Sequence, residues 1–360
     1  MNTQSPVICL MGPTASGKSD LAIQIAQWTV EICPFRHPLT LYRHPRTLYR
    51  HPRESGDPEK SINDVSSIDQ KTELQKSPER FPCEIVSVDS ALIYRHMDIG
   101  TAKPDKTMQA AIPHHLIDIR NPNETYSAAE FRKDALAAIH SIETKQEVPL
   151  LVGGTMLYFK ALLYGLSPLP TANPAVREHL QKIAESKGLD YLHEQLLQVD
   201  PETAKRVHPN DPQRIQRALE VYEITGKPMS QLCKVQEKDP FPYHAIQIAL
   251  MPPDRKILHQ RIKIRFEHML KEGLIDEVKA LMQRFDLHAD LPSMRSVGYR
   301  QVLEYLNGKI DFETMKEKAI AATRQLAKRQ LTWLRSWPDV HWFKPEDLQG
   351  IKKFCQEKIS

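Results

Sequence analysis

Four short apolar runs punctuate the chain, at residues 7–11, 84–88, 148–152 and 245–250. Each is too short for an ordinary helix, and each predicts a buried strand. Between them the apolar period changes to that of helices. Residues 20–28 follow the first run. Residues 127–139 follow the second, opened by Ser127 with Glu130 three positions on, the spacing of a capping box. Residues 156–163 follow the third. Strands alternating with helices predict a parallel sheet with helices on its faces. From 175 to about 238 the pattern is helical only. Asp211-Pro212 supplies an N-cap and a first-turn proline there, and Gly226 a stop. A strand then returns at 245–250, so the helical block interrupts the sheet. Downstream, 254–282 reads as one charged helix, able to act as a lid with Arg255, Arg261 and Arg265. Residues 291–297 read as a loop, Gly298-Tyr299-Arg300-Gln301 as a helix start, and 314–335 as the last long helix.

One stretch fits neither period. Residues 33–82 hold seven prolines, nine basic and seven acidic side chains. In it, Leu41-Tyr42-Arg43-His44-Pro45-Arg46 recurs as Leu48-Tyr49-Arg50-His51-Pro52-Arg53. His37, His44 and His51 are evenly spaced, but the proline after each blocks a regular helix. The stretch therefore reads as a low-complexity disordered insert. The expected division is a core of 1–32, 83–168 and 245–345, the insert at 33–82, a helical domain at 169–244 behind the proline-rich boundary 168–174, and a tail at 346–360.

Composition narrows the setting. Of 360 residues, 49 are basic and 45 acidic, so the net charge of +4 gives a weak overall field. A nucleic-acid site must come from local clustering. The five cysteines, Cys9, Cys33, Cys83, Cys233 and Cys355, contain no C-x-x-C pair, and their odd number argues against a disulfide framework. No apolar run approaches the ~20 residues of a membrane helix, and the polar start, 1–6, does not resemble a signal peptide. A cytoplasmic protein without membrane contact is expected.

The chemistry centres on Gly12-Pro13-Thr14-Ala15-Ser16-Gly17-Lys18-Ser19, which lies between the first strand and first helix. This is the G-x-x-x-x-G-K-[ST] P-loop pattern in its required context. The bending backbone turns successive amides toward one concavity, and the helix start adds its positive dipole end. Lys18 adds charge, and the Ser19 hydroxyl is placed to hold Mg²⁺. The fold class is thus α/β, a P-loop NTPase-like parallel sheet with an inserted all-helical domain. Asp89 follows the second strand and faces the ligand crevice of such a sheet, as a metal-associated carboxylate or a general base. Gly153-Gly154-Thr155 permits close backbone approach or is a simple tight turn. His114 and His115 read as structural residues at a strand start. Arg214 and Arg217 share one helix face. The helix at 314–335 holds six basic residues against one acidic; Arg324, Lys328 and Arg335 lie near one face beside Trp333 and Trp337, suited to a phosphate backbone or to packing on the core. Three classes compete: a small-molecule or nucleotide kinase, an RNA-acting transferase whose P-loop holds a diphosphate, and a regulatory nucleotide-binding module.

Five blocks, taken in order, carry a resemblance. They are residues 12–19 above, Ser87-Val88-Asp89-Ser90-Ala91-Leu92-Ile93-Tyr94, Met97-Asp98-Ile99-Gly100-Thr101-Ala102-Lys103-Pro104, Leu150-Leu151-Val152-Gly153-Gly154-Thr155-Met156-Leu157-Tyr158, and Arg324-Gln325-Leu326-Ala327-Lys328-Arg329-Gln330. Together the chain resembles the bacterial tRNA dimethylallyltransferases, except over 33–82, for which that family has no counterpart. The resemblance implies transfer of a dimethylallyl group from its diphosphate to the exocyclic N6 amine of the adenine 3′-adjacent to the anticodon of tRNA, releasing diphosphate. It implies Asp89 as general base, Thr101 orienting the leaving oxygen, and Lys18 with the P-loop on the diphosphate, assisted by Mg²⁺ at Ser19. It also implies contact of the tRNA anticodon stem-loop with Asp89, Ser90, Ala91, Leu92, Thr155, Arg177, Gln213, Arg214, Ile215, Gln216, Arg217, Arg295, Ser296, Val297, Gly298, Tyr299 and Arg300, and a monomeric enzyme.

Overall fold

The computed structural model describes residues 5–31, 83–234, 240–252 and 254–359. The histidine repeat and the rest of 33–82 lie outside these. The elements run β1 (Pro6–Met11), α1 (Lys18–Glu31), β2 (Cys83–Val88), α2 (Lys106–Ala111), β3 (His114–His115), α3 (Ala128–Thr144), β4 (Val148–Gly153), α4 (Met156–Tyr164), α5 (Pro174–Lys187), α6 (Leu189–Val199), α7 (Pro201–Arg206), α8 (Pro212–Thr225), α9 (Met229–Lys234), β5 (His244–Leu250), α10 (Arg255–Lys271), α11 (Leu274–Arg284), α12 (Tyr299–Leu306), α13 (Phe312–Arg335), β6 (His341–Phe343) and α14 (Leu348–Ile359).

The strands form one parallel sheet in the order β3-β2-β4-β1-β5-β6. All four strands expected from the apolar runs are in it. Their side chains alternate between two cores, as strand geometry requires. Val7, Cys9 and Met11 of β1 face a core shared with α3, α4 and α10 to α13. Ile8 and Leu10 face a second core with α1 and α14. The pairings Met11↔Gly153 and Val88↔Gly153 put the carboxyl ends of β1, β2 and β4 level. The three loops leaving those ends therefore emerge side by side, where the strand order reverses, the position at which open α/β sheets bind ligands.

The helical block has its own small core, with Leu180, Leu192, Leu196, Ile215 and Leu219 buried together. The carboxylate of Glu220, fully buried, ties it to the chain before it. Glu220 accepts from Arg177 Nε at 2.9 Å, Arg217 Nη1 at 2.6 Å and the Asn173 amide at 2.8 Å. Those donors outweigh burial and hold the Glu220 carboxyl below its usual range.

Three elements differ from the sequence reading. The expected helix 254–282 is two, α10 and α11, because Gly273 adopts φ 101°, a left-handed turn that ends a helix and that side chains resist. The expected tail 346–360 contains α14, whose Ile351 and Cys355 are fully buried on the α1 side of the sheet. β6 adds an edge strand of three residues, too short to show alternation.

At the end of the sheet away from the P-loop, Glu84 accepts from Lys145 Nζ at 2.8 Å and pairs with His115 Nε2 at 2.6 Å. Burial, then the hydrogen bond and charge of Glu84, push Glu147 above the usual carboxylate range. A raised carboxyl contributes stability below its ordinary value and loses it as pH climbs through the raised one. Glu147→Gln is therefore expected to raise Tm by a few degrees at about pH 8.5 and leave it nearly unchanged at about pH 4, by thermal unfolding at the two pH values.

Candidate functional site

A cleft of about 1910 Å³ opens at the carboxyl ends of the sheet, lined by the P-loop, the turn after β2, the segment 98–106, the turn after β4, α10, 295–299 and α13. Its floor is the P-loop. Ala15 at φ 60° and Gly17 at φ 89° turn the chain back on itself, and the Ser16 amide donates to Pro13 O at 3.3 Å. The Ser16 hydroxyl is buried with no protein partner. A buried donor left open inside an amide-lined concavity suits an anion. Lys18 is half-buried, its Nζ donating to Pro13 O at 2.6 Å. Loss of water pulls its pKa down to about 7; Asp89 opposes that fall and Arg265 adds to it.

Asp89 stands at the end of β2. Its Oδ1 accepts from the amides of Ala91 at 2.8 Å and Leu92 at 3.3 Å, so the carboxylate closes its own turn and is held in one orientation. Thr155 at the head of α4 ties that turn to β4: its Oγ1 accepts from the Ser90 amide at 3.1 Å, and its own amide donates to Val88 O at 3.2 Å. Gln330 of α13 clamps the site from above. Its Oε1 accepts from the Thr14 amide at 2.8 Å, and its Nε2 donates to Gly154 O at 2.9 Å. A Cβ on Gly154 would lie 2.5 Å from that Nε2, so a side chain there would displace the Gln330 amide from its hydrogen bond.

The loop carrying Thr101 is fastened from two sides. Lys103, its side chain 3% exposed, donates to Tyr94 O at 2.8 Å and pairs with Asp98 at 2.7 Å and Asp118 at 2.5 Å. From α11, the Glu277 carboxylate accepts from three successive amides, Asp98 at 2.9 Å, Ile99 at 2.7 Å and Gly100 at 3.2 Å, and from the Tyr299 hydroxyl at 2.6 Å. The Thr101 hydroxyl donates to Met97 O at 2.7 Å, and its carbonyl accepts from Arg265 at 3.3 Å. Without Glu277 the loop loses one of its two anchors. Glu277→Ala is expected to lower kcat about 10- to 100-fold through misplacement of the loop. Glu277→Gln should recover part of that, with RNA affinity little changed in steady-state assays.

The sequence-derived residues fall into two groups. Thr14 to Ser19, Asp89 to Leu92, Thr101, Thr155 and Arg295 to Tyr299 all line the cleft. Gly12 and Pro13 are buried at the base of the loop, and Tyr299 is fully buried with its hydroxyl committed to Glu277. Arg300 is exposed just beyond it. Arg177 and Gln213 to Arg217 lie in α5 and α8, outside the cleft. Ile215 is fully buried in the helical core, so its side chain offers RNA nothing; it occupies the inward stripe of α8. Arg217 is engaged by Glu220 and by Pro170 O at 2.6 Å. Gln213 and Arg214 are exposed. Three residues were missed as site residues. Gln330 ends the last of the five sequence blocks, Arg265 stood among the lid arginines, and Glu277 had no signal at all. Among the described residues no group of three or more His, Cys, Asp or Glu could hold a metal ion.

Residues 92–337 match the family model described as IPP transferase. The chain is similar to the full-length tRNA isopentenylpyrophosphate transferase of Bacillus halodurans, at 29% identity over 99% of this chain and 97% of that one, with a TM-score of 0.62. It is similar to the tRNA delta(2)-isopentenylpyrophosphate transferase of Staphylococcus epidermidis, at 31% identity over 99% of this chain and 100% of that one, with a TM-score of 0.61. A eukaryotic dimethylallyltransferase acting on tRNA shares the fold, with a TM-score of 0.67 at 24% identity, over 98% of this chain and 77% of that one.

Proposed function

The chain belongs to the IPP transferase family, and from that premise we propose that it transfers a dimethylallyl group from dimethylallyl diphosphate to the N6 amine of the adenine 3′-adjacent to the anticodon of tRNA. The observation that carries the reading is the placement of Asp89. It is a carboxylate fixed by its own turn, opposite a phosphate cradle, in a cleft wide enough to admit a nucleoside together with the donor.

The donor diphosphate sits on the amides of 14–19, with Lys18 beside it. Arg265, half-buried in the cleft wall and within electrostatic reach of both Asp89 and Lys18, acts on the same charge. Mg²⁺ fits this donor set, since it is usually held by phosphate oxygens and few protein groups and not by an all-protein cage. The Ser19 hydroxyl and the diphosphate would hold it, and when bound it supplies further neutralisation of the leaving group. The target adenine leaves its stack to reach the cleft. Its amine attacks the allylic carbon, the carbon–oxygen bond breaks, and diphosphate departs with the bonding electrons toward donors already in place. Asp89 takes the proton that the amine gives up. The Thr101 loop, held by Lys103 and Glu277, positions the leaving oxygen. Exposed Arg295 and Arg329 at the rim meet the RNA backbone.

Family membership disfavours the kinase alternative. The test offers the enzyme unmodified tRNA with dimethylallyl diphosphate or with ATP, and weighs the RNA. A gain of one prenyl group with the diphosphate donor alone is expected. Unchanged RNA beside a phosphorylated small molecule would overturn the reading.

A further inference from the structure

The outer face of α13 carries a second recess beside the main cleft. It is a groove of about 330 Å³ formed by Gln325, Lys328, Arg329, Thr332 and Trp333. Their spacing of three and four residues places them along one side of the helix. Trp333 is 39% exposed, and Lys160 of α4 lies over its ring at 5.9 Å. The helix behind it is anchored by Leu334, fully buried, and by Trp337, whose Nε1 donates to Gln247 at 2.8 Å. So the two tryptophans divide their roles: Trp337 packs, and Trp333 faces out.

Charge points to what covers it. The ion pairs of α13 lie in its first half, Lys316 with Glu267 and Lys318 with Glu304. Lys328 and Arg329 are exposed and have no carboxylate partner among the described residues. An aromatic face ringed by free cations matches a flat base and its phosphate. Continuity gives the same answer: Trp333 and Arg329 line both this groove and the main cleft. A strand whose adenine enters the cleft runs across this ridge.

We propose that the groove binds one unpaired base of the RNA loop flanking the modified adenine, stacked on Trp333, with its phosphate on Lys328 and Arg329. The exposed Gln325 amide lines the groove and gives the site a preference among bases, while the Thr332 hydroxyl is committed to Lys328 O at 3.0 Å. This rests on the functional reading above.

The test is a cycle on the whole enzyme with anticodon stem-loop RNAs, each lacking the base at one loop position. Trp333→Ala should weaken intact RNA about 10- to 100-fold, and Trp333→Phe should recover most of that. Removing the base at one particular loop position should weaken wild-type binding similarly and cost Trp333→Ala nothing more. Affinity for dimethylallyl diphosphate should be unchanged in both variants, showing an intact fold. Unchanged RNA affinity in Trp333→Ala, or base-removal penalties that add fully at every position, would overturn the groove assignment alone. A wild-type enzyme that binds no RNA loop would overturn the functional reading instead.

Discussion

Asp89→Asn is expected to lower kcat by about 10²- to 10⁴-fold, with the affinities for RNA and for donor within a few-fold of wild type. The choice of asparagine matters. Asp89 has two jobs in the geometry: one oxygen accepts from the Ala91 and Leu92 amides, and the carboxylate is the base. Asparagine keeps an acceptor for the turn and removes the base. Asp89→Ala removes both, so it should be at least as slow and also lose RNA affinity through a loosened 89–92 turn. Single-turnover rates and RNA binding, measured on both variants, separate the two roles. Wild-type turnover in Asp89→Asn would mean that the proton goes elsewhere.

Lys18→Met is expected to cost about 10²- to 10³-fold in kcat/KM, and to remove a pH dependence. In the free protein, burial pulls Lys18 down to about 7. A bound diphosphate favours the ammonium form and raises the value, so binding takes up a proton. Wild-type affinity for inorganic diphosphate is thus fullest below about pH 7 and falls up to tenfold per unit above it. Diphosphate itself gains charge as pH rises, which works the other way. The decisive quantity is therefore the difference between wild type and Lys18→Met, followed by calorimetry from about pH 6 to 9. A constant ratio across that range would contradict the assignment.

The sheet and the phosphate cradle were legible because each is a local pattern. A buried strand is a short apolar run, and the P-loop is a spacing of glycines between a strand and a helix. What escaped depends on long-range contacts. Glu277 is one acid among many on a charged helix until folding brings it beneath the amides of 98–100, 177 to 179 residues away. Gln330 reaches back 316 residues to Thr14. The same limit explains the errors. Ile215 sits in a polar, basic stretch but points inward, since helix phase, not neighbourhood, decides burial. α14 escaped because its few apolar positions, Ile351 and Cys355 among them, gain meaning only from contact with α1 and the sheet, far away in sequence. The split at Gly273 was visible in principle as a glycine inside a helical period, and the apolar pattern on either side concealed it.

If the cradle holds a leaving diphosphate, the attached carbon is attacked and the bridging oxygen stays with phosphorus. A heavy-oxygen label in the bridging position of dimethylallyl diphosphate, followed through one turnover with tRNA, reads this bond directly. Prenylated RNA is expected, with all of the label in the released diphosphate. Label released as dimethylallyl alcohol, with a phosphorylated product, would place the break at phosphorus and contradict the assignment of the cradle.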